Sequence, residues 1–103
     1  MDVKYLNYIL AIAGRRNMTK AAEDLFVSQS SLSQYLSRLE QELDTPLFNR
    51  SKGELTLTPA GELYVEAAKQ VVKIQKELYQ NIANLNRRGH ISIGVTSNFG
   101  LRM

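Results

Sequence analysis

The sequence predicts a mainly α-helical fold in which three short helices and a β-hairpin precede one long helix. Apolar residues recur every three or four positions through most of the 103 residues, which is the spacing of amphipathic helices. A stretch of alternating apolar and polar residues near Gly53 interrupts that spacing and is typical of a small hairpin. The helical spacing resumes after Pro59, and no helix breaker follows Gly61 until Gly89.

The first two helices are predicted to be short. One apolar stripe defines the first helix, and it consists of Val3, Leu6, Ile9, Leu10 and Ala13. Gly14 is expected to end this helix as its C-terminal cap. Thr19 then offers a side-chain oxygen as the N-cap of the second helix. Phe26 and Val27 are expected to form a tight link to the third.

The third helix is expected from about Gln29 to Glu42, with Ser28 as its N-cap. Its leucines keep the helical period, and Pro46 is expected to stop it, because proline has no N–H to donate and restricts the residue before it. Two extended runs follow, at residues 47–50 and 54–57, joined by a glycine-containing turn at 51–53.

The long helix begins at Thr58 and Pro59, where a hydroxyl can cap the helix and proline suits its first position. About 28 residues make a helix of roughly 42 Å, longer than the preceding core can cover. A heptad pattern predicts a seam that pairs two chains. The seam consists of Tyr64, Ala68, Val71, Gln75, Leu78, Ile82 and Leu85.

A second apolar stripe runs beside this seam. It consists of Leu63, Ala67 and Ile74, and it could pack on the globular part of the chain. The alternative is a single wide apolar face buried within a monomer. Dimerisation is the better supported interpretation, because few residues remain to cover both stripes.

The composition excludes several kinds of site. The chain has no cysteine and one histidine, His90, which argues against disulfides, thiolate or histidine metal centres, cofactors and enzyme activity. No run approaches the roughly 18 apolar residues that a membrane span requires. The basic pair Arg15-Arg16 follows the N-terminal apolar stretch, the reverse of a signal peptide, so a cytoplasmic chain is expected.

The net charge of +3 does not by itself indicate a nucleic-acid binder, because it lies entirely in residues 59–103. Residues 1–58 hold seven basic and seven acidic groups. Any electrostatic attraction for nucleic acid must therefore come from how charges are placed on individual faces.

The pattern that does indicate DNA binding lies at the start of the third helix. Three helices and a hairpin form a winged helix-turn-helix, whose third helix can enter a major groove. The opening of that helix is polar without acidic groups, through Ser28, Gln29, Ser30, Ser31, Ser33 and Gln34. The two glutamine amides can pair with adenine N6 and N7, so we expect adenine to be read there. Arg50 and Lys52, on the hairpin, are expected to face phosphates.

In order and combination, these segments resemble the LysR-type transcriptional regulators. The matching segments are residues 5–9, 18–25, 27–33, 39–43, 46–50 and 57–61. The resemblance implies a bacterial regulator that binds an interrupted palindrome in double-stranded DNA as a homodimer, or as a tetramer in the full-length protein. It implies DNA contacts from Thr19, Gln29, Ser31, Ser33, Gln34 and Arg50. The chain departs from the family pattern at Ser30, where proline is common, and at Gln34, where arginine is common.

Three regions are therefore expected: a winged helix-turn-helix DNA-binding domain at 1–58, a dimerising linker helix at 59–88, and the start of a truncated effector-binding domain at 89–103. The last region alternates like a strand at 91–95. The resemblance places Thr96 and Ser97 near a small-molecule effector. The alternative is a dimerising winged-helix protein-interaction module without DNA binding, which the zero net charge of residues 1–58 favours.

Overall fold

The computed structural model describes residues 3–51 and 53–88, apart from the side chains of Lys4 and Arg88. Six elements follow one another: α1 Val3–Arg15, α2 Met18–Leu25, α3 Gln29–Leu43, β1 Phe48–Ser51, β2 Glu54–Leu57 and α4 Pro59–Arg88. This order confirms the predicted fold class of three helices, a hairpin and a long helix. The strand expected at 91–95 lies outside the described residues. The chain divides after Val72 into two compact units.

The ends of the first two helices differ from the prediction. Gly14 lies inside α1, and the chain leaves the helix at Arg16, which has a left-handed φ of 56°. Asn17 caps α2, because its side-chain oxygen accepts a hydrogen bond from the N–H of Lys20. Thr19 already lies in the first turn of α2, so its predicted role as the cap is wrong.

The caps predicted for the other two helices are confirmed. The Oγ of Ser28 accepts a hydrogen bond from the N–H of Ser31 at 3.0 Å. The Oγ1 of Thr58 accepts one from the N–H of Gly61 at 2.9 Å. Helix α3 ends at Leu43, and its C-cap Asp44 has a left-handed φ of 57°, so the helix is already finished before Pro46.

The hairpin, which we call the wing, pairs β1 with β2 in antiparallel register. Phe48 lies opposite Leu57 and Ser51 lies opposite Glu54, so Ser51 belongs to β1 rather than to the turn predicted at 51–53. Gly53 has a φ of 77°, a conformation that suits glycine in such a turn.

The hydrophobic core lies among α1, α2, α3, the wing and the first part of α4. Its largest fully buried side chains are Leu6, Ile9, Ile12, Leu32, Leu36 and Leu47. Val65 brings α4 into the same cluster. Among the described residues, no helix combines the length and apolarity needed to cross a membrane.

The two apolar stripes of α4 do not lie as predicted. Within residues 59–72, Ala68 is 0% exposed, whereas Leu63 is 76% exposed and Ala67 is also exposed. Ile74, in the second unit, is exposed as well. The possibility that this stripe packs on the globular part is therefore wrong at Leu63 and Ala67, and Ala68 has no surface left for a second chain.

The inward face of α4 follows from a close approach at Gly61. A Cβ added to Gly61 would lie 2.0 Å from the carbonyl oxygen of Leu47, so only glycine lets the helix come this near. Val65 and Ala68 follow at spacings of four and three residues and share that face. The position of the glycine thus decides which stripe is buried.

We expect opposite effects from adding the same methyl group at two helical glycines. Gly61→Ala should lower the free energy of unfolding by about 2 kcal/mol or more, because the added Cβ meets backbone. Gly14→Ala, inside α1 with nothing within 4 Å of the added Cβ, should raise it by about 0.5–1 kcal/mol. Urea denaturation measures both changes. Equal effects at the two sites would contradict the close approach of α4 to Leu47.

Candidate nucleic-acid interface

Helices α2 and α3 are joined by a tight turn at Phe26 and Val27. The N–H of Phe26 donates to the carbonyl of Glu23 at 3.2 Å, and that of Val27 donates to the carbonyl of Ala22 at 3.1 Å. Phe26 has a left-handed φ of 58°, which is costly for a bulky residue, and its side chain is 95% exposed. Sequence analysis treated Phe26 as a link and missed this exposure, because an aromatic residue in an apolar segment is usually buried.

The opening of α3 presents the polar surface that the sequence predicts. Ser28, Gln29, Ser30 and Gln34 are exposed and, with the half-buried Ser33, line one shallow depression. We call this surface, together with Ser31, the polar opening of α3. No charged side chain lines the depression, so a polyanion that enters it meets hydroxyls and amides rather than a carboxylate.

Two of these serines also have a local structural role. Ser28 accepts the N–H of Ser31 as the helix cap, and its hydroxyl donates to the Oγ of Ser31 at 2.9 Å. The remaining N–H groups of the first turn have no partner within the helix, and the positive end of the helix dipole lies there. An anion can bind at such a turn through backbone groups alone.

A hydrogen bond connects α2 to the polar opening of α3. The hydroxyl of Thr19 donates to the Oε1 of Gln29, with 3.3 Å between the two oxygens. Both side chains are exposed. The structure therefore brings together these two residues, which the sequence predicted separately as DNA contacts.

Arg50 lies on β1 of the wing, outside the depression lined by the polar opening. Its side chain is exposed, and it forms no ion pair or hydrogen bond with any residue that the structure describes. Lys52, predicted as the second wing cation, lies outside the described residues. Arg50 thus carries a positive charge that is available to an external anion.

The arginines at the end of α1 are engaged within the chain. Arg15 binds Asp24 through two hydrogen bonds of 2.6 and 2.9 Å, and this partner lowers the pKa of the Asp24 carboxyl below its ordinary value. Arg16 lies 3.9 Å from the carboxylate of Glu54, and its carbonyl accepts the N–H of Leu55 at 3.3 Å. These contacts attach α1 to α2 and to the wing.

Glu40 has a structural role that sequence analysis missed. Its Oε2 accepts hydrogen bonds from the backbone N–H groups of Leu47 at 2.6 Å and Phe48 at 3.3 Å. The side chain is half-buried, whereas Glu42 and Asp44 are exposed. The sequence shows three acidic residues near the end of α3, and only the tertiary structure distinguishes the one that holds the start of the wing.

Tyr35 belongs to an aromatic cluster rather than to the polar opening. Its ring stacks on Tyr5 with centroids 4.9 Å apart and meets Tyr8 edge-on at 5.4 Å. Burial, with the neighbouring Tyr64, raises the pKa of Tyr35 to about 12. Within the described ranges, no group of three or more histidine or acidic side chains lies close enough to bind a metal ion.

Three helices, a wing and an exposed polar opening on the third helix together define the chain as a winged helix-turn-helix protein. A family model for bacterial regulatory helix-turn-helix proteins of the LysR family matches residues 3–62. The chain belongs to the LysR family.

The relatives are transcriptional regulators, not enzymes. The chain is 41% identical over 97 residues to the uncharacterised regulator YcgK of Bacillus subtilis, covering 92% of this chain and 30% of that protein. It is 39% identical over 99 residues to BudR of Klebsiella aerogenes, covering 94% of this chain and 69% of that one. The chain spans about a third of the length of most curated relatives that it matches.

Solved structures share the fold. The BenM DNA-binding domain in complex with catB site 1 DNA superimposes with a TM-score of 0.79 at 26% identity, covering 88% of this chain and 100% of that chain. The CbnR DNA-binding domain in complex with DNA gives a TM-score of 0.73 at 29% identity, covering 84% of this chain and 99% of that chain. The predicted winged helix-turn-helix is thereby confirmed.

Removal of the Glu40 carboxylate should destabilise the chain. Glu40→Ala leaves two backbone N–H groups without their acceptor and should lower the free energy of unfolding by about 2 kcal/mol. Glu40→Gln keeps a neutral acceptor and should cost about half as much. Glu42→Gln, an exposed position on the same helix, should change stability by less than about 0.5 kcal/mol. Denaturant titration of the three variants tests this, and equal losses for Glu40→Gln and Glu42→Gln would count against the role of Glu40.

Proposed function

We propose that this chain is the sequence-specific DNA-binding region of a LysR-type transcriptional regulator. The observation that carries the proposal is the exposed, acid-free polar opening of α3, which follows a tight turn from α2 as groove reading requires. The BenM and CbnR domains, which are similar in fold and were crystallised with DNA, support it. A cytoplasmic location belongs to the same proposal, because duplex DNA is the proposed ligand.

Different residues take different parts in this proposal. Base edges in the major groove meet the side chains of the polar opening, and phosphates meet the wing cations and the first turn of α3. The complete set of proposed DNA-binding residues is Thr19, Ser28, Gln29, Ser30, Ser31, Ser33, Gln34, Arg50 and Lys52. Ser28 and Ser31 already cap the helix, so backbone N–H groups beside them are the better phosphate ligands.

The C-terminal part of α4 is proposed to pair two chains. Within residues 73–88, Leu78, Ile82 and Leu85 are 52%, 47% and 61% exposed and recur at heptad spacing. A second copy with the same stripe can cover them. The buried Ala68 is removed from the proposed seam, and Tyr64 and Val71 are half-buried by their own chain. Pairing in this way would join two α3 helices in one dimer, one helix for each half of a palindrome.

The resemblance extends the proposal beyond the described residues. A tetramer and a small-molecule effector belong to the full-length protein that the resemblance implies. Thr96 and Ser97, expected near that effector, lie outside the described residues, as does the rest of the expected third region at 89–103. The protein-interaction alternative has one supporting fact, the balanced charge of residues 1–58. The unpaired Arg50 and the acid-free polar opening favour DNA instead.

Arg50 should contribute affinity without sequence preference. The probe is a DNA duplex that the chain selects from random sequences. The binding constant K for this duplex is measured at several salt concentrations. Arg50→Ala should weaken all sequences about equally and reduce the slope of log K against log salt by about one unit, because one fewer phosphate is neutralised. Arg87→Ala, which removes a cation bonded to Asn84 on α4, should leave the slope unchanged. If the parent chain selects no sequence and its binding shows no salt dependence, DNA binding itself is refuted.

The exposed stripe of α4 should make the chain a dimer. Apolar burial at about 25 cal/mol per Å² along two such helices is expected to give association in the micromolar range. Ile82→Glu should shift the chain to monomer, whereas Gln80→Glu adds the same charge to the polar side of the helix and should not. Sedimentation distinguishes the dimer from the 11.7 kDa monomer. A monomeric parent chain at about 100 μM would refute the pairing, since that exceeds the expected Kd.

A further inference from the structure

Arg38 is the one basic residue of α3. Its side chain is exposed, and it forms no ion pair or hydrogen bond with any residue that the structure describes. Glu42 lies four residues further along, a spacing that often pairs opposite charges on a helix, yet no salt bridge joins the two side chains. The guanidinium of Arg38 is therefore available to an external anion.

Arg38 lies on the face of α3 that continues from the polar opening. It follows Gln34 by four residues, so the two residues share a face of the helix. Both are exposed, whereas Leu32 and Leu36, on the other side of the helix, are buried in the core. A polyanion that covers Gln34 and continues along this face next meets Arg38.

The length of α3 decides what Arg38 can reach on a duplex. The helix has 15 residues and is about 22 Å long, whereas the major groove is about 12 Å wide and about 8.5 Å deep. Arg38 follows Gln29 by nine residues, which is about 14 Å along the helix axis. With Gln29 at the base edges, this distance exceeds the depth of the groove if α3 enters end-on and its width if α3 lies across. Arg38 then lies at the level of the phosphates in either case.

The acidic end of α3 argues against the remaining orientation, in which the whole helix lies along the floor of the groove. Glu42 and Asp44 are exposed, and carboxylates inside the groove would be repelled by the phosphates on both sides. The last turn of α3 is therefore expected outside the groove. Arg38 is the last cation before these acids, so it lies where the helix leaves the groove.

We propose that Arg38 binds a backbone phosphate at the edge of the major groove and so holds α3 at the depth at which its glutamines meet the bases. The inference rests on the proposed DNA binding and deepens it. It adds a residue from the third turn of α3, whereas the other proposed phosphate ligands lie in the first turn and on the wing. A guanidinium suits this role, because its fork of N–H donors matches a phosphate.

The first test measures binding of the whole chain to a duplex selected from random sequences, across a salt series. Arg38→Gln removes the charge and keeps a long polar side chain. It should reduce the slope of log K against log salt by about one unit and weaken binding about fivefold at about 0.15 M salt, because one fewer phosphate is neutralised. Arg38→Lys should restore the slope. Glu42→Gln, the matched control one turn away, removes a charge of the opposite sign and should not reduce the slope.

A second measurement locates the contact. Each phosphate of the selected duplex is replaced in turn by an uncharged methylphosphonate, and the loss of affinity is measured for each replacement. At one position the replacement should weaken binding by the parent but have no further effect on Arg38→Gln, because the charge pair is already lost. The same replacement should still weaken binding by Arg50→Ala, since Arg50 lies on the wing.

The outcomes separate this inference from the proposed function. If the parent selects a site but Arg38→Gln leaves the slope and every methylphosphonate effect unchanged, the phosphate contact is overturned and DNA binding stands. The contact is also overturned if Arg38→Gln lowers only stability or self-association, since Arg38 lines a depression with Tyr5, Tyr35 and Tyr64 and would then act by packing. If the parent binds no duplex with preference or salt dependence, the proposed function fails and this inference fails with it.

Discussion

The short backbone segment from Pro46 to Phe48 is the point on which the rest of the structure depends. The end of α3, the start of the wing and the start of α4 all bind this segment. The Glu40 carboxylate accepts hydrogen bonds from the N–H groups of Leu47 and Phe48. The Thr58 hydroxyl donates to the carbonyl of Pro46, and the Thr58 backbone N–H donates to the carbonyl of Leu47. Gly61 then allows α4 to approach the same Leu47 carbonyl. Because the N–H groups of Leu47 and Phe48 and the carbonyls of Pro46 and Leu47 all have partners, three elements can meet in a partly buried place without loss of these hydrogen bonds.

This junction explains why α4 contributes one face to the core and leaves another face exposed. The residues of α4 that share the face of Gly61 are drawn into the core, which commits Val65 and Ala68 to their own chain. The other apolar positions of α4 are half-buried or exposed, and within residues 73–88 the exposed ones recur along the helix. A stripe of this kind is costly in water, and that cost would drive the proposed pairing with a second copy.

The proposed interface shows how a region with balanced charge can suit DNA. Arg15 and Arg16 are paired with Asp24 and Glu54, and the carboxylate of Glu40 is directed at the start of the wing. The polar opening of α3 is left with hydroxyls, amides and free backbone N–H groups, and Arg50 has no ion pair with any residue that the structure describes. What matters for a polyanion is the charge that remains after internal pairing, and this differs from the sum over the sequence.

The sequence by itself determined the features that depend on neighbouring residues. Ser28 and Thr58 cap their helices, and Gly53 turns the wing, because each of these needs only a side chain or a φ value suited to its own few residues. The family segments and the polar opening were equally readable, since they are patterns along the chain. Asn17 and Thr19 are both suitable N-caps near the start of α2, and local chemistry did not distinguish the true cap, Asn17, from Thr19.

The tertiary structure alone decided which faces and side chains meet. The buried stripe of α4 follows from the approach at Gly61, and the role of Glu40 follows from the position of Leu47, seven residues away and outside its helix. Thr19 and Gln29 lie ten residues apart and meet because the turn at Phe26 folds α3 back beside α2. Such contacts depend on the packing of whole elements, so periodicity and capping, which act over a few residues, could not predict them.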